Sequence, residues 1–146
     1  METRDVAAMT TRQVAALTTD QVQTGLTTAQ IVGLTTGQVA ALTTDQIQLG
    51  LTTTQVAAME TRDVAALKTS QVVALTTDQI GQGLTTTQVA GMTTAQVAAL
   101  TTDQVQLGLT TDQVVALTTA QVAALTTDQV AAFETRDLRA LNSAQV

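Results

Sequence analysis

A large apolar residue returns every eighth or ninth position along this chain. Two residues, usually Thr-Thr, follow it each time, and an aliphatic residue, β-branched in all but one unit, comes five positions on. The phrase is L-T-T-x-Q-V-A-A. It opens at Met1, Met9, Leu17, Leu26, Leu34, Leu42, Leu51, Met59, Leu67, Leu75, Leu84, Met92, Leu100, Leu109, Leu117, Leu125, Phe133 and Leu141. Numbered within the unit, position 1 is always Leu, Met or Phe, and position 6 is always Val, Ile or Leu. Position 3 is Thr except at Ser143, and position 5 is Gln except at Asp5, Asp63 and Asp137. Positions 4 and 7 vary freely. A unit this short cannot bury its own apolar face, so neighbouring copies must stack and share a core. The pattern predicts a solenoid.

The spacing predicts one short helix per unit. Variable positions 4 and 7 lie three apart and share an outer face, while positions 5, 6 and the next position 1 gather on the opposite one. Thr at position 2 or 3 supplies an N-cap oxygen, both registers being open. With the cap at position 2, Gln at position 5 completes a capping box, and positions 1 and 6 form a hydrophobic staple. A continuous helix fails on arithmetic: eight residues advance about 800°, so the Leu row would drift by roughly 80° per unit. The chain must therefore break at each Thr-Thr. The alternative is a three-faced β-solenoid, since Thr and Val favour strands. Against it, Val-Ala-Ala is a poor strand, and acids stacked about 4.8 Å apart would repel.

Unit lengths run 8-8-9, 8-8-9, 8-8-8-9, 8-8-9, then four of eight and a stub. The nine-residue units end in Gly25, Gly50, Gly83 and Gly108, and each is followed by Leu. That arrangement predicts a left-handed glycine stop with a hydrophobic residue after it. Their acids, Asp20, Asp45, Asp78 and Asp103, stand 25, 33 and 25 residues apart. Three units per coil follow, with four in the middle coil. Residues 1–146 thus form one continuous array of eighteen units, the last incomplete. With METRDVAA at both Met1 and Met59 and no polar capping repeat at either end, a segment or subunit of a longer assembly is expected.

Composition narrows the chemistry. There is no Cys, His, Pro, Trp or Tyr, and Phe133 is the lone aromatic. Thiolate nucleophiles, disulfides, zinc centres and imidazole bases are therefore excluded. A net charge of −6 opposes phosphate backbones, so no nucleic-acid partner is expected. Thr-Thr interrupts every apolar run, so no membrane insertion is expected. No secretory signal is visible in these residues, since Met1 already stands in repeat phase. Catalytic, cofactor and metal sites are all expected to be absent. The acids at position 4 (Asp20, Asp45, Asp78, Asp103, Asp112, Asp128) offer one carboxylate per unit, whereas calcium needs about six to eight converging oxygens. They read instead as first-turn acids favoured by the helix dipole. A flat Thr surface of the ice-binding kind would require the β-solenoid. The clusters Glu2-Arg4-Asp5, Glu60-Arg62-Asp63 and Glu134-Arg136-Asp137 are the candidate lateral contact points between solenoids, against the plainer reading of exposed ion pairs of little energy.

Units such as Leu125–Ala132, LTTDQVAA, resemble the L-T-T-x-Q-V arrays of large bacterial surface and secreted proteins, adhesin- or RTX-like. The resemblance covers the whole chain and implies an extracellular or cell-surface, structural or adhesive role. The string also resembles the L-T-P-x-Q-V opening of TAL-effector repeats, but their 34-residue period, Pro and base-reading loop are lacking. The expectation is an all-α solenoid of very short capped helices that acts as a spacer, stalk or filament body and self-associates end to end into a homo-oligomer or filament. The alternative is a binding or adhesion module in which positions 4 and 7 recognise a surface, glycan or protein.

Overall fold

The computed structural model describes residues 2–141 and residue 145. Every regular element in it is a helix of five or six residues, one per unit, and no described residue lies in a strand. The β-solenoid alternative falls. Between helices the chain makes a two-residue extended corner, as at Met92 (φ −64°, ψ 147°) and Thr93 (φ −72°, ψ 157°). The cap register is settled at position 2. Thr10, Thr27, Thr35, Thr52, Thr85, Thr93, Thr110, Thr118 and Thr126 each accept from the backbone N–H of the Gln three residues on. The Gln Oε1 in turn accepts the Thr N–H, at 2.9 Å for Thr93 and Gln96. This capping box closes the first turn of a helix too short to stand alone in water.

The helices stack as a three-sided prism in which each unit rests on the one three before it. One face carries Thr3–Ala8, Thr28–Val32, Thr53–Ala58, Gln79–Gly83, Gln104–Gly108 and Thr127–Ala132 in succession. The second carries Thr11–Ala15, Thr36–Ala41, Thr61–Ala66, Thr86–Gly91, Thr111–Ala116 and Thr135–Ala140. The third carries Gln21–Gly25, Gln46–Gly50, Thr69–Ala74, Thr94–Ala99 and Thr119–Ala124. The expected four-unit coil in the middle does not exist. The additional octad after Gly50 leaves three units per coil and shifts the nine-residue unit to another face. Nonads ending at Gly25 and Gly50 stack on the third face, and those ending at Gly83 and Gly108 on the first.

The nonads also differ from expectation inside. No glycine has a positive φ, so no left-handed stop is made. The ninth residue is absorbed by a π-helical turn, with the following Leu N–H reaching back five residues: Leu51 to Gln46 O, Leu84 to Gln79 O and Leu109 to Gln104 O, each 3.0 Å. Octads instead close with a three-residue reach, as from Leu42 N–H to Val39 O at 3.2 Å. Glycine is needed for a close approach to the coil beneath. A Cβ on Gly50 would stand 3.2 Å from Val22 Cβ, one on Gly83 3.1 Å from Val56 Cβ, and one on Gly108 3.3 Å from Ile80 Cγ2. Gly25, in the first coil, would meet only Gln21 Cβ at 3.9 Å.

Position 6 fills the axis: Val14, Val22, Val39, Ile47, Val72, Ile80, Val97, Val105 and Val114 are all 0% exposed. Position 1 residues line the corners around them, from Leu26 to Leu117, with Phe133 taking a corner in place of Leu. A core only one Val and one Leu deep per side has no room for several rings, which accounts for the single aromatic.

Candidate functional site

The chemistry of this chain is concentrated in the seams between coils, where Gln does two jobs. Its Oε1 completes the cap of its own helix. Its Nε2 donates to two backbone carbonyls of the coil beneath at a helix C-terminus; the position-6 carbonyl of an octad, such as Val64 O, also accepts the N–H that closes its own helix. Gln96 shows the pattern, with Nε2 2.8 Å from Val64 O and 2.7 Å from Leu67 O. Gln38, Gln46, Gln55, Gln71, Gln79, Gln88, Gln104, Gln113, Gln121 and Gln129 repeat it. All of these amides are buried, whereas Gln13 and Gln21 of the first coil are exposed. A buried amide with both ends satisfied ties two coils and fixes their register, since a slip of one residue would leave it unmet.

The three acidic clusters do not share one face. Glu2, Arg4 and Asp5 lie on the first face, while Glu60, Arg62, Asp63 and Glu134, Arg136, Asp137 lie on the second. In each, Arg pairs with the Glu two residues before it: 2.8 Å for Arg4–Glu2, 2.6 Å for Arg62–Glu60 and 3.1 Å for Arg136–Glu134. These Glu and Arg side chains stay at the surface, within reach of a lateral partner. Asp63 and Asp137 do not, for both are 0% exposed and stand in the seam where other units carry Gln. They correct the expectation that every member of a cluster faces outward. Asp5 remains exposed, its Oδ2 accepting the Glu2 N–H at 2.7 Å. Asp137 Oδ1 accepts from Thr111 Oγ1 of the coil beneath at 2.8 Å. Neither oxygen of Asp63 has a hydrogen-bond partner.

Glycine marks these units a second way. Gly33 and Gly91 replace the usual Ala at position 8, and each stands directly over an acidic unit: a Cβ on either would collide with Cγ2 of Thr3 or Thr61 respectively. Sequence reasoning missed this pairing, although its signal is internal. Both position-8 glycines of octads occur three units after an E-T-R-D unit.

The position-4 acids Asp20, Asp45, Asp78, Asp103, Asp112 and Asp128 all face solvent. Among them, the nonad acids fall into two stacked pairs on different faces. Position 7 and neighbouring positions expose scattered apolar side chains, chiefly Leu49 (62%) and Leu107 (68%). At the far end of the described stack, Val122, Leu125, Val130, Phe133, Leu138 and Leu141 line an apolar recess of about 430 Å³.

Comparison with known proteins gives one family. The ALTTAQ repeat matches residues 1–36, 24–53, 56–94, 82–107 and 107–135. No curated protein and no solved structure matches the chain.

Proposed function

The chain belongs to the ALTTAQ repeat family, and we propose that this structural repeat module works as a stiff spacer, stalk or filament body that lengthens by stacking further coils. The observation that supports this reading is the ladder of Gln ties, which runs from coil to coil and is interrupted at Asp63 and Asp137. Every coil above the first is attached to the one beneath by the same buried amide contacts, and the first coil leaves the amides of Gln13 and Gln21 exposed. The apolar recess at the opposite end offers Val130, Leu138 and the half-buried Val122 and Leu125 to another coil. Such a coil can belong to a longer chain or to a second copy, and it would bury this apolar surface in the way the interior coils do. The partner we propose is more of the same repeat, outside the cell or on its surface, with no catalytic role.

Electron microscopy of the purified chain tests this directly. Rods of constant width whose length grows with concentration, or with the number of repeats, support it. Dispersed particles one chain long at every concentration sink the self-association. A second reading, adhesion through the outer faces, is favoured by one observation: Leu49 and Leu107 are more than half exposed, further than any other large apolar side chain among the described residues. Replacing both by Thr would abolish adhesion to a surface while leaving rod formation intact.

A further inference from the structure

Asp63 occupies position 5 with a coil beneath it and a coil above it, the helices Thr36–Ala41 and Thr86–Gly91. Its side chain is fully buried, and both carboxylate oxygens lack a hydrogen-bond partner. In glutamine units such as that of Gln38, the amide lands on carbonyls 32 and 29 residues back. Counted from Asp63, the same two places are Ile31 and Leu34. Among the described residues no side chain donates to either carbonyl, and Ile31 O takes only backbone N–H groups of its own turn, including that of Leu34 at 3.2 Å. The seam therefore holds acceptors on both sides and no donor between them. An ionised carboxylate shut into such a place is costly. A protonated one carries an O–H and becomes a donor, as the amide is elsewhere.

We propose that Asp63 is a proton-operated clasp between coils: protonated, its carboxyl donates to the carbonyl edge of Ile31 and Leu34 in place of the missing Gln amide, and ionised, it lets go and loosens that seam. The proton comes from solvent and returns to it.

Three observations set this unit apart from its relatives. Asp137 already receives a donor, Thr111 Oγ1 at 2.8 Å, and Asp5 lies exposed in the first coil. The helices packed against the Asp63 unit carry no ionisable side chain, so Glu60 and Arg62 of its own unit are the charges that act on it. Burial raises the Asp63 carboxyl above the usual range and Arg62 opposes it, while Glu60 adds to the burial effect. A metal cation suits the same gap less well. It would find one buried carboxylate and, 3.9 Å from Oδ1, the Arg62 guanidinium.

A native carboxyl that keeps its proton to higher pH than the unfolded chain stabilises the fold fully in acid. That contribution is lost as pH climbs through the raised value. The test is thermal unfolding of the full chain from pH 3.5 to pH 8, run in parallel on Asp63→Gln and Asp63→Asn. Subtracting each variant's profile removes the general effect of net charge. We expect the wild type to fall below Asp63→Gln by on the order of 3 °C at neutral pH. The gap should close in acid. A carboxyl ¹³C titration of Asp63 should find its midpoint above the ordinary Asp value. Parallel profiles for wild type and both Asp63 variants, or a midpoint at or below the ordinary value, overturn the clasp. Stabilisation of the wild type, but not of Asp63→Asn, by calcium or potassium at fixed pH overturns it too, by showing that a metal cation fills the gap.

Discussion

On the first face of the prism an octad helix, Thr53–Ala58, lies directly beneath a nonad helix, Gln79–Gly83. One closes its turn over three residues and the other over five, Met59 N–H to Val56 O and Leu84 N–H to Gln79 O. Yet what each presents to the seam is the same. Val56 and Ile80 are buried to 1% and 0% exposure, and Gln55 and Gln79 reach the coil beneath at 2.7 Å. The additional residue is taken up within the helix, and the ties go on as before. Contacts between coils, rather than length within a coil, therefore set the geometry of this array. A unit is free to gain a residue so long as its Gln, its position-6 residue and its corner Leu stay in place.

The hardest blow to that equivalence should come at the ties themselves. Gln88→Ala strips the Val56 and Met59 carbonyls of a donor and the Thr85 N–H of its acceptor. Gln104→Ala does the same within a nonad. Each should cost about 3 kcal/mol in denaturant unfolding, and the two should agree. A much milder loss in the nonad would mean that its π turn carries the seam by other means.

Glycine sharpens the comparison at smaller scale. Gly83→Ala places a methyl 3.1 Å from Val56 Cβ and should destabilise by about 1–2 kcal/mol. Gly25→Ala has no coil beneath it, so reduced freedom of the unfolded chain should win and the protein should gain about 0.5 kcal/mol. Opposite signs at two equivalent positions would separate close approach from backbone conformation as the reason for glycine. Lys68→Thr restores the cap hydroxyl to an octad that retains only the Gln71 half of its capping box, and should add about 0.5–1 kcal/mol. Smallest of all should be the effect of 0.5 M NaCl through the Arg62–Glu60 and Arg136–Glu134 pairs. It should stay below about 0.5 kcal/mol, because these pairs lie at the surface.

Much of this was legible in the residues. Thr at position 2 and Gln at position 5 announce a helix start, and the 25-residue spacing of Asp20 and Asp45 announces three units per coil. Three features were not. The 33 residues between Asp45 and Asp78 fit equally a larger coil or a change of face, and only the contact of each helix with its counterpart three units away decides. A terminal glycine fits equally a left-handed turn or a tight approach, and the deciding partner, Val56 for Gly83, is a whole coil distant in sequence. The burial of Asp63 had a visible sign, an acid at a position otherwise held by Gln. The second job of that Gln, binding the coil beneath, cannot be seen from one unit alone.

All the glutamine amides from Gln38 to Gln129 are aimed toward the earlier coil. The prism is therefore vectorial, amide donors facing one way along its axis and carbonyl acceptors the other. Two such prisms meeting through these contacts must run in the same direction. A two-fold pairing of like ends would set donor against donor, or acceptor against acceptor. Any growth by this chemistry would be head-to-tail.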